Sequence, residues 1–415
     1  IAPIAAQASD VINLDGMNDY SRSKKSSNRI DSKTFINEVS EDIAILKGRV
    51  DGLEAQQNNF DAGAFSSTTT MDGKAIMWIG AVDGADDIAA AQTEQVQTGY
   101  TYTMNLNTSF TGDDNLYVRL KTGAQGAVWH DSKPHYHIDT KSNDDEFKVD
   151  KMWYTFPIGE SITAIVGPRI ENYYMYVTPS IYSPGALKSF KLGGNSNFGA
   201  STDVGAGLKW EAENGFAIAT NIVDKNADST GLMGKNSVSK WDTQIAYTQP
   251  QYHASVTLSN AQNWTSQSYN ATSLAAAMQG SDGDTTGYAF RAYWRPLESG
   301  TATPEISVGY DTKSADTPAA SAAKKADSYM VGLTWRDMFQ SDDRIGLAVT
   351  QPLKVTEMQG GGATGEVDPF VWEAYYAFKP NDSMEVRPAI FGGTDVLTDT
   401  NDDMFGAVLT TTFKF

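Results

Sequence analysis

The feature that most constrains this chain is a series of about sixteen segments in residues 73–415, each roughly ten residues long, in which apolar and polar residues alternate. A period of two is typical of β-strands that have one apolar face. The connections between these segments also alternate in length. Short turns such as 111–114 and 159–161 alternate along the chain with long polar loops such as 125–149 and 171–202. This regular alternation is typical of a transmembrane β-barrel and is not expected of a β-propeller or a β-sandwich.

The two faces of each segment differ in chemistry. In 369–379, Phe370 and Trp372 lie on one face, whereas Glu373 and Lys379 lie on the other. A ring of about sixteen strands is too wide for side chains to fill, so the apolar face should contact lipid and the polar face water. Aromatic residues of the apolar phase gather next to the short turns, as in a girdle at the membrane surface: Phe156, Trp210, Phe216, Tyr247, Tyr252, Trp294, Trp335 and Phe378.

The sequence therefore predicts an all-β fold, a 16-stranded antiparallel transmembrane β-barrel formed by residues 72–415. Both ends of this barrel are expected on the periplasmic side, because the short turns lie there. A lipid bilayer is its first expected partner.

The residues before the barrel fall into three segments. Residues 1–8 include Ala6-Gln7-Ala8, a small-x-small pattern that predicts the end of a secretory signal peptide, although a merely apolar terminus is the alternative. Residues 9–33 are polar and without periodicity, which predicts a flexible segment.

Residues 34–60 predict a coiled-coil helix. The a and d positions of a heptad repeat are apolar, and charges of opposite sign match across the flanking positions of a parallel homo-oligomer, Asp42 with Lys47 and Arg49 with Glu54. The alternative is an amphipathic helix packed on the barrel, and the repeat leaves dimer and trimer both open. The predicted oligomerisation residues are Ile36, Val39, Ile43, Leu46, Val50 and Leu53.

Charge and composition exclude several classes of function. The formal net charge is −19, which argues against a nucleic-acid partner because such proteins need basic surfaces. There are no cysteines, so disulfide scaffolds and cysteine-ligated metal sites are excluded. No apolar run reaches the ~18 residues of a transmembrane helix.

The chain contains no recognisable catalytic motif. It has no GxSxG or HExxH sequence and no phosphate-binding Walker loop. We therefore predict a protein that is not an enzyme and needs no cofactor. Two alternatives stay open: an outer-membrane barrel enzyme, and a structural envelope tether with a plugged lumen.

The chain resembles the cyanobacterial outer-membrane porins of the carbohydrate-selective (OprB-like) family. The likeness rests on ILKGRVDGLEA at 45–55, FSSTTTMDGKA at 65–75, the strand pattern and the terminal Phe415. The resemblance implies a homotrimer that passes small hydrophilic solutes, with the N-terminal helix in the periplasm. Most members carry a surface-layer-homology domain before the coiled coil. Only the polar segment 9–33 stands there in this chain, and cell-wall components are a further expected partner through it.

The predicted function is accordingly an outer-membrane porin, a water-filled channel for passive diffusion of inorganic ions and small sugars. The third long loop, 171–202, is expected to fold into the barrel and narrow it, because trimeric porins use this loop in that way; an exposed surface loop is the alternative. Basic side chains predominate on the lumen phase of the strands. The predicted pore-lining residues are Arg119, Lys121, Arg169, Tyr173, Tyr174, Tyr176, Tyr182, Lys188, Lys191, Arg291, Arg295 and Arg387.

The second long loop carries three of the four histidines. His130, His135 and His137 lie close to Asp131 and Asp139, a density of imidazole and carboxylate groups that could bind zinc, copper or iron. Solvated loop residues and contact with a neighbouring protomer are the alternative uses of this loop.

Overall fold

A computed structural model of the chain describes residues 46–50, 68–84, 95–124, 129–130, 136–177, 179–194, 197, 203–225, 227–265, 270–280, 283–317, 319–365, 367–395 and 403–415. The chain divides into two compact units, residues 1–67 and 68–415. Among the described residues, no helix has both the length and the apolar character needed to cross a membrane.

The second unit is a closed barrel of sixteen antiparallel strands. Each strand pairs with the next one in the chain, and β1 pairs with β16 to close the ring. The predicted fold class is confirmed. The strands are β1 Thr69–Asp83, β2 Gln97–Thr108, β3 Asn115–Ala124, β4 Lys148–Ile158, β5 Ile162–Ile170, β6 Asp203–Glu211, β7 Phe216–Lys225, β8 Val238–Thr248, β9 Tyr252–Gln262, β10 Asp284–Trp294, β11 Glu305–Ser314, β12 Ala323–Arg336, β13 Arg344–Met358, β14 Phe370–Asn381, β15 Met384–Thr394 and β16 Met404–Lys414.

The strand pair β12–β13 extends further than its sequence pattern indicates. The alternation predicts that this strand ends at residue 351, but β13 continues to Met358 through Pro352, a residue that cannot donate to a ladder. The pairing between the two strands shifts register near Asp327 and Tyr329. A bulge of this kind absorbs the proline, and the ladder resumes beyond it.

The outer and inner faces of the barrel have the predicted chemistry. Outward side chains such as Met77, Phe290 and Leu409 are large, apolar and exposed. The girdle aromatics lie on this outer face, where Phe216 and Tyr247 have ring centroids 4.7 Å apart. Charged side chains such as Lys151, Arg291 and Glu373 point inward instead and are buried.

The main core of the barrel lies inside it, because two long connections fold inward. We call residues 125–147 loop 2 and residues 171–202 loop 3. Trp129 of loop 2 and Leu187 and Phe190 of loop 3 are buried against inward residues of the wall, among them Trp78 and Phe391. The interior is therefore packed on one side by loops rather than by side chains of the strands alone.

The first unit is described only over a single helical turn. Residues 46–50 are helical, and Leu46 and Val50, one turn apart, are both exposed. The other predicted seam residues, Ile36, Val39, Ile43 and Leu53, lie outside the described residues, as do the segments 1–8 and 9–33.

Candidate functional site

Loop 3 is held inside the barrel by the carboxylate of Glu373 on β14. The backbone N–H groups of Gly185, Ala186 and Leu187 donate to its two oxygens at 2.7, 3.0 and 2.8 Å. The hydroxyl of Tyr182 adds a fourth hydrogen bond at 2.8 Å. Four donors of loop 3 converge on this one buried carboxyl group, so the cradle fixes the middle of the loop to β14.

A second anchor holds the start of loop 3 against β8. The side chains of Asn172 and Tyr176 donate to the carboxylate of Asp242 at 2.9 and 2.7 Å. The backbone of Val177 exchanges two hydrogen bonds with the side-chain amide of Gln244. These contacts fix the start of loop 3, which leaves β5, against the inner face of β8.

The third anchor is Arg291 on β10. Its guanidinium donates to the carbonyl oxygens of Leu192 and Gly194 in loop 3 and pairs with Asp311 at 3.0 Å. Tyr176, Tyr182 and Arg291 are thus buried in the attachment of the loop. The prediction that these three line the pore is wrong, because each donates its polar hydrogens to the wall or the loop instead of pointing to open solvent.

Loop 2 is attached to the wall on both sides of the β1–β16 closure, where Thr101 of β2 donates to the carbonyl of Asp139. Arg387 of β15 binds the carboxylate of Asp139, and the backbone of 136–138 pairs with that of 186–188 in loop 3. Arg387 faces inward as expected, but it is buried under loop 2 and does not line the pore. The two loops form one inner layer, and loop 2 also contacts β1 through Trp129 and β2 through Asp139.

A cavity of about 490 Å³ lies between this inner layer and the inner face of β1–β4. Six of the predicted residues line it: Arg119, Lys121, Tyr173, Tyr174, Lys188 and Lys191. Among the described residues around it, seven side chains are cationic and three are carboxylates. Its lining also includes Lys74, Thr101, Thr103, Tyr136, Asp139, Lys141, Asp150, Lys151 and Glu171.

The carboxylates of the cavity are shared among the cations. Arg119 donates through Nε to Asp150 at 2.8 Å, and Lys141 lies 3.3 Å from the same carboxylate. Lys151, which is almost completely buried, pairs with Glu171. Positive charge is therefore left over at the cavity surface.

The ionisation of the loop groups reflects this environment. Burial opposes the charged form of Glu171, but Lys151 and Lys191 outweigh it and lower the pKa of that carboxyl. Burial, with Lys191 and Lys121 nearby, lowers the pKa of Lys188 to about 7. Burial likewise lowers the pKa of Lys191. Lys188 is therefore poised to change charge near neutral pH.

Two further predicted pore residues lie elsewhere. Pairing of β5 shifts register between Gly167 and Ile170, so Ile170 faces the interior and Arg169 takes the outer phase, where it is exposed. The prediction that Arg169 faces the lumen is wrong, because one extra residue in a bulged strand reverses every later side chain. Arg295 lies beyond the end of β10, beside a separate cavity of about 340 Å³ among the short connections, and donates to the carbonyl of Pro250.

The histidine cluster of loop 2 does not form a metal site among the described residues. His137 is buried beside Trp78 and Trp129, and burial lowers its pKa to about 4. His130 packs against Tyr136 and hydrogen-bonds Thr140. His135 lies outside the described residues.

Sequence reasoning missed several cations of the cavity. Lys151 shares the lumen phase of its strand with Trp153, so period-two alternation could have identified it. Lys74 also lies within a predicted strand. Lys141 belongs to loop 2, and its approach to Asp150 depends on how that loop folds, which no local pattern reveals.

Relatives of the chain were found among curated proteins. It is 24% identical to the uncharacterized protein alr4550 of Nostoc sp., over 91% of this chain and 71% of that protein. It is also 24% identical to the uncharacterized protein sll0772 of Synechocystis sp., over 86% of this chain and 71% of that protein. Both organisms are cyanobacteria, as the resemblance indicates.

Solved structures share the fold at low sequence identity. The anion-selective porin from Comamonas acidovorans matches with a TM-score of 0.56 and 10% identity, over 84% of this chain and all of that one. OmpF of Salmonella typhi, in a complex with daunomycin, matches with a TM-score of 0.53 and 12% identity, over 84% of this chain and 97% of that one. The model of the family described as "Carbohydrate-selective porin, OprB family" matches residues 30–415. The chain therefore belongs to the carbohydrate-selective porins of the OprB family.

Proposed function

We propose that solutes cross this outer-membrane porin through the cavity between the loop layer and β1–β4, and that this cavity is its selectivity filter. As a member of the family the protein is a channel for passive diffusion of small hydrophilic solutes, inorganic ions and small sugars. The observation that carries the proposal is the cavity that remains between the anchored loops and the inner face of β1–β4, lined mainly by charged and polar side chains.

The charge at this filter favours anions. Seven cationic side chains face three carboxylates across the cavity, and fixed positive charge near a narrow passage raises the local concentration of anions. The net charge of −19 is then carried elsewhere on the molecule, mainly in its loops. Neutral sugars are compatible with the same passage, because the aromatic rings of Tyr173 and Tyr174 line it beside hydrogen-bond donors.

Single-channel recording of the purified protein in planar bilayers tests the proposal. We expect stepwise ionic conductance and a reversal potential in a potassium chloride gradient that indicates preference for chloride. Replacing Arg119, Lys121 and Lys191 by glutamine should shift the reversal potential toward potassium, and less so at high salt because charges are screened.

Two outcomes would contradict the proposal. An unchanged reversal potential in the triple variant would place the filter outside this cavity. Absence of any conductance would favour a structural barrel with a closed lumen, the alternative that the packed interior also suits.

We further propose that the protein assembles as a homotrimer through residues 34–60 and that this coiled coil lies in the periplasm. The heptad pattern and the exposure of Leu46 and Val50, both at seam positions, support it. Cross-linking of the full-length protein in detergent, with and without residues 34–60, tests the assembly.

A further inference from the structure

The three carboxylates that line the filter cavity face seven cationic side chains, and each carboxylate already pairs with at least one of them or with Arg387. The carboxylate of Asp150 forms ion pairs with Arg119, Lys141 and Lys151. The carboxylate of Asp139 pairs with Arg387, and Nζ of Lys74 lies 4.0 Å from it. Within the part of the chain that the structure describes, no ion pair is made by Lys121, although it lines the cavity.

The lysines of loop 3 contact aromatic rings at the same cavity. Lys191 donates to the hydroxyl of Tyr173 at 3.0 Å and lies over that ring. Lys188 lies 4.0 Å from the centroid of the Tyr136 ring. Lys121 on β3 and these two loop lysines thus approach the cavity from its two sides, the wall and the loop layer.

Holding several like charges in a half-buried space is unfavourable unless a counter-charge enters. A monovalent ion neutralises one lysine at a time, whereas a dianion with several oxygen acceptors interacts with several ammonium groups at once. Lysine ammonium groups act as point charges for phosphate-like groups, and the hydroxyls of Thr103 and Tyr136 at the same cavity are further donors. The cavity volume of about 490 Å³ falls in the range of ~300–1,000 Å³ typical of small-ligand sites.

We propose that the filter cavity contains a saturable binding site for a small oxyanion with two negative charges, such as sulfate or hydrogen phosphate, with Lys121, Lys188 and Lys191 as its ligands. The inference rests on the proposed function, because the site lies on the route assigned to solutes. It adds to that function a preference among anions, because dianions bind to the lysines whereas chloride passes through the cavity without binding there.

The test measures block of chloride current through the full-length protein in planar bilayers. Potassium sulfate is added at constant ionic strength, with potassium acetate as a monovalent oxyanion and glucose as a neutral solute in parallel. Sulfate should reduce the chloride conductance to a plateau with a defined half-saturating concentration, and hydrogen phosphate should do the same. Acetate and glucose should give no saturable block at the same concentrations.

Variants locate the site. Lys121→Gln and Lys191→Gln should each raise the half-saturating sulfate concentration about tenfold, since each removes one close charge. Lys121→Arg keeps the charge and should retain the block, which separates loss of charge from loss of folding. Arg169→Gln removes one positive charge from the outer face of the same region and is the matched control, so its block should equal that of the unchanged protein.

Several outcomes overturn the inference. Conductance without saturable sulfate block would eliminate the site while leaving the channel in place. Equal weakening by Arg169→Gln would assign the effect to overall charge. A complete lack of conductance would instead refute the proposed function itself, and the inference with it.

Discussion

At the scale of single residues, Glu373 attaches loop 3 to the wall of the barrel. Its carboxylate receives four hydrogen bonds from loop 3, and the side chain is completely buried. Glu373→Gln places an amide NH₂ group against backbone N–H donors. We expect a loss of about 1–3 kcal/mol in the free energy of unfolding, the usual cost of a buried unsatisfied polar group, and a noisier open-channel current.

Thermal unfolding in detergent and single-channel recording measure the two effects. Glu357→Gln is the matched control, because the ion pair of Glu357 with Lys324 is exposed and such pairs contribute little. A quiet, fully stable Glu373→Gln channel would show that the loop is held by other contacts.

Lys188 is expected to make the anion preference depend on pH. Its pKa of about 7 means that it is charged below that value and neutral above it. The groups that face it include Lys121 of β3, Lys151 of β4, Tyr136 of loop 2, and Glu171 and Lys191 of loop 3. The preference for chloride should therefore fall as the pH rises through about 7, as reversal potentials would record.

Two variants distinguish titration of Lys188 from titration of His130 as the cause of this change in anion preference. Lys188→Arg keeps a guanidinium that stays charged, so the step should disappear. His130→Gln removes the imidazole that lines the same cavity and could also titrate near neutral pH, and the step should persist. A step that vanishes only in His130→Gln would assign the titration to the histidine.

At the scale of elements, loop 3 and β11 approach so closely that only glycine fits between them. A Cβ atom added at Gly309 would lie 1.9 Å from the carbonyl oxygen of Gly193. Gly309→Ala should push loop 3 off the wall, lower stability by about 1–3 kcal/mol as overpacking does, and change the conductance.

The control for this variant is Gly362→Ala, where an added Cβ would meet nothing within 4 Å. Both variants are compared by thermal unfolding and by single-channel conductance. If Gly309→Ala behaves as Gly362→Ala does, the close approach of loop 3 to β11 has no energetic consequence.

At the scale of the whole molecule, the predicted coiled coil should determine assembly. Reversing the charges of Lys47 and Arg49 sets like charges opposite Asp42 and Glu54 of neighbouring chains and should weaken the oligomer. Reversing Asp42 and Glu54 as well should restore it. Size-exclusion chromatography with light scattering measures the oligomer, and a fully stable oligomer in the first variant would place the interface elsewhere.

The strand number, the closure of the barrel and its apolar outer face could be predicted from the sequence, because these properties are local and periodic. Side chains alternate strictly along a strand, as Phe370, Trp372 and Glu373 illustrate, and turn chemistry marks where each strand ends. The same alternation places Arg119 and Lys121 on the inner face, where both line the cavity.

Only the tertiary structure decided which inward charges meet open solvent. Arg291 and Arg387 share the lumen phase with Arg119, yet loops 3 and 2 cover them and use their charge for attachment. One bulge moved Arg169 to the outer face. The physical reason is that alternation fixes the direction of a side chain relative to its own strand, whereas solvent exposure depends on where distant segments pack. Lys141 and Asp150 therefore form an ion pair at the edge of a cavity that no local pattern in the chain encodes.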